Sequence, residues 1–260
     1  MKITEVETIV VGTPWRELTF VELTTDDGLR GLGEARMLNK TDTLLACVEE
    51  MSRRYVIGSD PFDVQHLAWR FSWEEYGRAG EVTQTALAAI DMACHDLMGK
   101  SLGVPVHQLL GGRFRQRTPA YANGWYQGER DPDTIAAMAA RVARAIEEYD
   151  PAWIEEPVPP HDVCGPVGTA ANVHLAVASS NHKILEHSND FADPWVKDLV
   201  RGAPEVDAAD GSFALPTAPG LGVALDKEAC AAHPRTNAHF NLVRDGWERR
   251  DGANVEAVRS

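Results

Sequence analysis

Positive charge is in short supply against negative in this 260-residue sequence. Twenty-five Lys and Arg stand against 39 Asp and Glu, giving a formal net charge of -14, and lysine is confined to Lys2, Lys40, Lys100, Lys183, Lys197 and Lys227. A chain this acidic repels phosphate unless it carries a local basic stripe, and no such stripe is present, so nucleic acid is not an expected partner. No apolar run approaches the ~20 residues of a membrane span. The start, Met1 to Val6, lacks the apolar segment of a secretory signal and reads as a strand. The four cysteines, Cys47, Cys94, Cys164 and Cys230, lie far apart with no Cys-x-x-Cys pair. That spacing reads as reduced thiols in a cytoplasmic protein with no membrane partner, rather than as a disulfide frame or zinc site. With 21 Gly, 15 Pro and 44% hydrophobic residues, the chain is neither collagen-like nor disordered, and it has enough apolar mass for a core.

What is present divides into two textures. Ile3 to Val11, Leu18 to Thr24 and Leu29 to Glu34 are β-rich runs, and Asp26-Asp27-Gly28 marks a turn before the third, which predicts an antiparallel meander. Helical spacing follows from Thr41, with Leu44, Leu45, Val48 and Met51 on one face. Asp60-Pro61 opens another helix. A long one runs from Thr83 to about Gly99 and buries Ala86, Leu87, Ile90, Ala93, Cys94, Leu97 and Met98. After Leu109-Leu110-Gly111-Gly112 the pattern becomes strand (Thr118 to Gly124), helix (Asp133 to Tyr149) and strand (Ala152 to Glu155), a β-α-β unit that implies parallel pairing. A helix over Gly168 to Ala178, a strand over Lys183 to Glu186, a strand over Ser212 to Leu215 and a short helix over Asp226 to Ala232 follow.

Several of these elements place chemistry-bearing side chains at their ends. Glu155 and Glu156 stand where a parallel strand ends, the catalytic side of α/β barrels. A carboxylate there suits a hard cation such as Mg²⁺, and the same spacing equally describes a solvated acidic pair beside a turn. His161, next to Asp162, is a candidate general base by virtue of a pKa near neutrality; a loop histidine bonded to backbone fits as well. Glu186 ends the next predicted strand, as a functional carboxylate or an edge charge. Asp91 and His95 read as an i, i+4 surface pair. Trp15, Arg16, Tyr76 and Arg78 can line an anion pocket, or pack and solvate in the ordinary way. Pro219-Gly220-Leu221-Gly222 does not stand between a strand and a capped helix and reads as a turn.

The order of the pieces resembles the enolase superfamily, in particular its mandelate racemase/muconate lactonizing enzyme subgroup and the galactonate-type sugar-acid dehydratases within it. Gly31-Leu32-Gly33-Glu34-Ala35, Ile57-Gly58-Ser59-Asp60-Pro61 and Ala88 to Ala93 leading to Leu109-Leu110-Gly111-Gly112 are similar to the family's capping domain. Trp153-Ile154-Glu155-Glu156-Pro157 resembles the fourth barrel strand, His161 to Pro166 the end of the seventh, and Ile184 to His187 the eighth. Pro219 to Val223 resembles the carboxy-terminal return onto the cap. The resemblance implies an α+β capping domain over residues 1–117, an α/β segment of a (β/α)-barrel over 118–190, and a return over 191–260. It implies Glu155 as ligand to Mg²⁺, His161 as the acid/base group, and Glu186 as a group stabilising the enolate oxygen; Arg16, Tyr76 and Arg78 are the substrate-side candidates of the residue reading above. The implied reaction removes the proton α to the carboxylate of a small acid sugar, with Mg²⁺ holding the enediolate, and then loses the β-hydroxyl as water.

About 70 residues separate Thr118 from Asp190, against the ~250 typical of an eight-unit barrel. The family's second-strand lysine and two of its three metal carboxylates have no counterpart in the motif order. Only residues 156–160 separate Glu155 from His161, whereas a parallel crossover needs a dozen or more. The expectation is therefore an incomplete remnant of the barrel with dehydratase activity weak or lost. The alternatives are a non-catalytic, internally deleted homologue that acts by associating with a full-length relative, and a racemase or epimerase of a 2-hydroxy acid. Homo-oligomerisation is a further expectation.

Overall fold

The computed structural model describes residues 1–74, 77, 79–122, 133, 137, 164–189, 192–241 and 255–257. Within them the amino-terminal meander forms as its alternation and turn signals predict. Strands β1 (Ile3–Gly12), β2 (Glu17–Thr25) and β3 (Arg30–Ala35) make one antiparallel sheet in the order β1-β2-β3. The register sets Val6 opposite Leu23 and Val21 opposite Gly33. Strand β2 lies at the centre and is buried along almost its whole length, because both faces of the sheet are covered.

The two faces follow the period of two in the strands. Val21, Leu23, Ala35 and Met37 point into a core shared with the helices α1 (Thr41–Met51), α2 (Val64–Trp73) and α3 (Glu81–Leu102). Leu18, Phe20 and Leu32 point the other way, into a second core built with carboxy-terminal residues such as Val167, Leu199 and Leu221. The close approach of β3 to α3 explains the glycine spacing: a Cβ on Gly31 or Gly33 would run into the backbone carbonyl of Ala93 or Ala89.

Helix α1 buries Thr41, Leu44, Val48 and Met51. A π-helical turn (Ser52–Val56) leads to a 3-10 turn (Pro61–Asp63), where the Asp60 side chain accepts a hydrogen bond from Phe62 N–H, as a capping Asp before Pro should. Helix α3 ends at Gly103, in the left-handed conformation (φ 70°) that glycine adopts at a helix end without steric cost. A short helix α4 (Val106–Leu109) follows.

The remainder is α/β. Strand β4 (Arg117–Ala122) pairs in parallel with β5 (Leu185–His187), setting Ala120 opposite Leu185 and Tyr121 opposite Glu186. Helix α5 (Pro166–Ala178) packs Val173 and Val177 against Leu185 and Phe213. After a 3-10 turn (Pro194–Leu199) come the short strands β6 (Val200–Arg201), β7 (Val206–Asp207), β8 (Ser212–Ala214) and β9 (Ala224–Leu225), then helix α6 (Lys227–Ala231). The parallel pair sits in a four-stranded sheet of order β5-β4-β8-β7, with β8 antiparallel to β4. Strands β6 and β9 pair with each other, as do β10 (Ala238–Phe240) and β11 (Val255–Ala257). The predicted helix over Asp133 to Tyr149 and strand over Ala152 to Glu155 fall outside the described residues, apart from residues 133 and 137.

Carboxy-terminal residues return to the cap through polar clamps as well as apolar contact. Arg235 pairs with Glu17 at 2.9 Å and with Asp42 at 2.5 Å. Lys227 bridges Glu7 at 2.6 Å and Glu22 at 2.8 Å. The Asn39 amide both donates to Phe240 O and accepts from Phe240 N–H, at 2.8 and 2.7 Å. Asp96, fully buried on α3, accepts from Leu32 N–H and Leu221 N–H at 2.9 and 2.8 Å and pairs with Lys100 at 2.6 Å. One carboxylate thereby joins the sheet, the long helix and the return. Burial drives its pKa above the usual carboxylate value, while Lys100 and the two backbone donors oppose that rise.

Candidate functional site

Strand ends of parallel pairs are where α/β folds gather their chemistry, and the direction of β5 fixes which end that is. Leu185 shares the core with α5, and the His187 ring meets Phe213 edge-on at 5.1 Å. Alternation along a strand then turns Glu186 to the opposite face of the sheet, away from α5, beside its register partner Tyr121. Glu186 is fully buried. A carboxylate kept from water at a strand end demands polar company, so Glu186 is not a solvated edge charge.

The cap closes over this end of the pair. Glu34, on the face of β3 opposite the cap core, is 4% exposed. Its carboxylate accepts hydrogen bonds from the backbone N–H groups of Gly165, Val167 (3.1 Å) and Gly168 (2.9 Å), in the first turn of α5. A helix start leaves its first N–H groups without intrahelical partners and carries partial positive charge, so a carboxylate there satisfies both needs. Neither Gly165 nor Gly168 has room for a Cβ: one would approach Glu34 Oε1 to 2.8 Å, and the other would meet the Cys164 side chain. In the same turn, Thr169 Oγ1 accepts from Asn189 Nδ2 at 2.9 Å. Asn189 lies two residues beyond β5, so this bond puts the start of α5, the end of β5 and the cap at one end of the structure.

Of the residues expected to carry function, the structure describes Glu186 and Arg16. Glu155, His161, Tyr76 and Arg78 lie outside the described residues. Arg16 is 6% exposed, in the loop between β1 and β2, with its guanidinium 4.8 Å from the Trp15 ring centroid. The loop is tied by Thr13, whose hydroxyl donates to Arg16 O at 2.7 Å and accepts from Arg16 N–H at 3.1 Å. The Trp15 ring packs edge-on against Phe240, 5.5 Å between centroids. Asp91 and His95 form the expected i, i+4 pair at 3.2 Å, and the Asp91 hydrogen bond raises the His95 pKa.

Three contributors were not singled out from the sequence. Glu34 sits inside a quoted motif, and its signal is a carboxylate in an otherwise apolar strand face. Asp96 interrupts the buried stripe of α3 between Cys94 and Leu97. His174, fully buried on α5, accepts the His107 backbone N–H through Nδ1 at 3.0 Å, its ring stacked 5.6 Å from that of His107. Burial lowers its pKa to about 4, so it stands neutral at pH 7.

Among the described residues no group of three or more His, Cys, Asp or Glu could hold a metal ion. Those residues therefore do not by themselves make a Mg²⁺ site, and the magnesium expectation stays with Glu155. No helix among them is long and apolar enough to cross a membrane.

Comparison with known proteins fits this arrangement. Residues 6–111 match the mandelate racemase/muconate lactonizing enzyme N-terminal domain, and residues 158–229 match the enolase C-terminal domain-like family. The chain is 35% identical over 212 residues to D-galactonate dehydratase of Ralstonia pickettii, an alignment covering 77% of this chain and 52% of that protein. It thus spans about half the length of the curated relatives it matches. The mandelate racemase/muconate lactonizing enzyme of Jannaschia sp. superposes with a TM-score of 0.72 at 21% identity, covering 91% of this chain and 98% of the other. An enolase from Pantoea ananatis with bound D-gluconate and Mg superposes with a TM-score of 0.70 at 19% identity, covering 90% and 94%. At these identities the two superpositions speak to the fold alone. The chain belongs to the mandelate racemase/muconate lactonizing enzyme family of the enolase superfamily, with that superfamily's capping-domain-plus-barrel fold, and it is similar in sequence to the sugar-acid dehydratases within it.

Proposed function

We propose that this chain binds an acid sugar between the cap and the ends of β4 and β5, and that its chemistry is the dehydration of that acid, weakened by a reduced barrel. The observation that supports this most directly is Glu186, fully buried at the end of β5 on the face away from α5, where the cap closes through Glu34. In this reading His161 moves the proton, and Glu186 stabilises negative charge on the substrate oxygen. Glu155 contributes a ligand to Mg²⁺, which would supply Lewis-acid polarisation of the carboxylate when bound. Arg16, Tyr76 and Arg78 belong to the substrate side. The units are a cap over residues 1–117, the reduced α/β segment over 118–190 and the return over 191–260. The weakening follows from positioning, which supplies much of an enzyme's rate. The short link between Glu155 and His161 leaves no chain for the intervening strands.

Purified chain is assayed with Mg²⁺ against D-galactonate, D-gluconate and D-mannonate, with 2-keto-3-deoxy acid as the product scored. Slow turnover that a matched His161→Asn preparation loses is the expected result. Equal rates in the two preparations, or none in both, overturn the reading. Exchange of the α-proton with solvent, without loss of water, would move the chemistry to racemisation or epimerisation.

The same short link supports a second reading, a non-catalytic chain that associates with a full-length relative or with itself, since a barrel without its full strand set leaves edges to cover. A monodisperse monomer in light scattering, unchanged on mixing with a full-length dehydratase, excludes it.

A further inference from the structure

The outer face of α2 carries aromatic rings where a surface helix ordinarily carries polar side chains. The helix buries Val64, Leu67 and Phe71 in the cap core. Trp69 and Trp73 stand on the other side, 52% and 62% exposed, and Phe62 precedes them in the 3-10 turn, also exposed. Positions 62, 66, 69 and 73 follow the spacing of one helical face. The exposed His66 ring lies stacked on Trp69, 6.2 Å between centroids and 20° between planes. Three of the eight large apolar side chains exposed among the described residues thus fall on one short stripe. Single exposed apolar residues carry no message, whereas a contiguous group marks a contact surface.

The charges beside the stripe say what covers it. Two copies of a chain of net charge -14 repel each other over most of their surface. Residues 52–74 are an exception: Arg53, Arg54 and Arg70 balance Asp60, Asp63 and Glu74. Asp63 and Arg70 are seven residues apart, two helical turns, so they share one flank of the stripe. The acid stands at its amino-terminal end and the base near its carboxy-terminal end. Arg70 is held in place there by Glu74 at 3.1 Å and by the Tyr55 ring, whose centroid lies 4.8 Å from the guanidinium carbon. Such a flank is complementary to a reversed copy of itself.

We infer that α2 is a two-fold interface and that its occupant is α2 of a second copy of this chain, running antiparallel. A two-fold axis between His66 and Trp69 sets each of these rings against the other residue of the second copy, and Phe62 against Trp73. It also keeps the charged flanks on one side, which brings Asp63 of each copy beside Arg70 of the other, twice. The contact is isologous and closes on itself, so it stops at a dimer. Aromatic rings form its centre and ion pairs its rim, the usual division of a protein interface. Interfaces of standard size take about 800 Å² from each partner. A ten-residue helix is about 15 Å long and offers less, so the dimer forms in the micromolar range. The inference is independent of the acid-sugar reading and of association through strand edges.

Sedimentation velocity of the full chain, from about 1 to about 500 μM, should show a monomer–dimer equilibrium with a Kd on the order of 10–100 μM. Trp69→Ser removes the central ring and should raise that Kd roughly tenfold or more. Asp63→Lys and Arg70→Glu each set like charges against each other twice across the axis, and each alone should remain monomeric over the same range. Mixed in equal amounts, these two variants should dimerise within about threefold of the wild-type Kd, because the introduced lysine then faces the introduced glutamate. That rescue requires both variants to be folded, so loss of dimer through misfolding cannot imitate it. A wild-type chain that stays monomeric at the highest concentration overturns the interface. So does association that Trp69→Ser leaves unchanged, or a mixture that behaves as its two components. Association through strand edges is indifferent to all three substitutions, so these failures leave that reading standing.

Discussion

Replacing Glu34 by alanine tests the account of how the cap is held over the strand ends. The perturbation removes one carboxylate and leaves three buried N–H groups, those of Gly165, Val167 and Gly168, without their acceptor. Each stranded buried donor costs about 1–3 kcal/mol, reduced where water enters. Loss of a negative charge at a helix start adds up to about 2 kcal/mol in a partly buried setting. With water reaching one of the three donors, a loss of about 4 kcal/mol is expected for Glu34→Ala. Glu34→Gln keeps an acceptor oxygen and loses the charge, so about 2 kcal/mol is expected there. The spread between the two variants is the informative quantity, since steric disturbance is smaller in the glutamine. Urea unfolding gives the global change, and amide hydrogen exchange localises it: the protons of Gly165, Val167 and Gly168 should exchange faster in both variants, while those of α3 follow the global change only. A Glu34→Ala protein within about 0.5 kcal/mol of wild type, or with unchanged exchange at those amides, refutes the reasoning.

Acid should weaken the contact between α4 and α5. His174 is neutral in the folded state with its pKa lowered to about 4 by burial, against about 6.5 in an unfolded chain. The unfolded state therefore binds the extra proton between these values, and its contribution to stability is complete above pH 6.5 and lost as pH falls toward 4. The slope is about 1.4 kcal/mol per pH unit and the total about 3 kcal/mol. His182, with its pKa likewise lowered to about 4, acts in the same direction. His95, with its pKa raised by Asp91, acts oppositely, stabilising at acid pH and losing that contribution as pH rises through its folded value. His174→Asn should flatten the urea midpoint against pH, and an unaltered slope rejects the assignment. Gly33→Ala should cost about 3 kcal/mol, because the added Cβ meets the Ala89 carbonyl of α3 and backbone yields little; a melting temperature near that of wild type would show that β3 can move off the helix.

Local patterns carried much of the fold. The alternation in Leu18 to Thr24, the Asp-Asp-Gly turn and the 3.6-residue spacing of Ala86, Ile90, Ala93 and Leu97 each depend on neighbours a few residues away. The corresponding strands and helix form with ends within a few residues of those read. The capping Asp60 and Asp226 are legible for the same reason, since a cap bonds to N–H groups two or three residues on. The Gly31-Leu32-Gly33 spacing was legible as a family motif, whereas its cause, the α3 backbone lying against β3, was not. Glu186 could be read as a strand-end carboxylate, but its complete burial could not, because distant chain covers it.

Short-range pattern and composition were enough for the meander, the amphipathic helices, the acidic charge balance and the order of motifs that carries the family. Tertiary structure decided which charged groups lie inside. Glu34 and the α5 amides it binds are separated by more than 130 positions, Asp96 and Leu221 by 125, and His107 and His174 by 67. No local pattern records such pairings, because the energy that keeps a buried charge or histidine in place comes from donors brought in by distant chain.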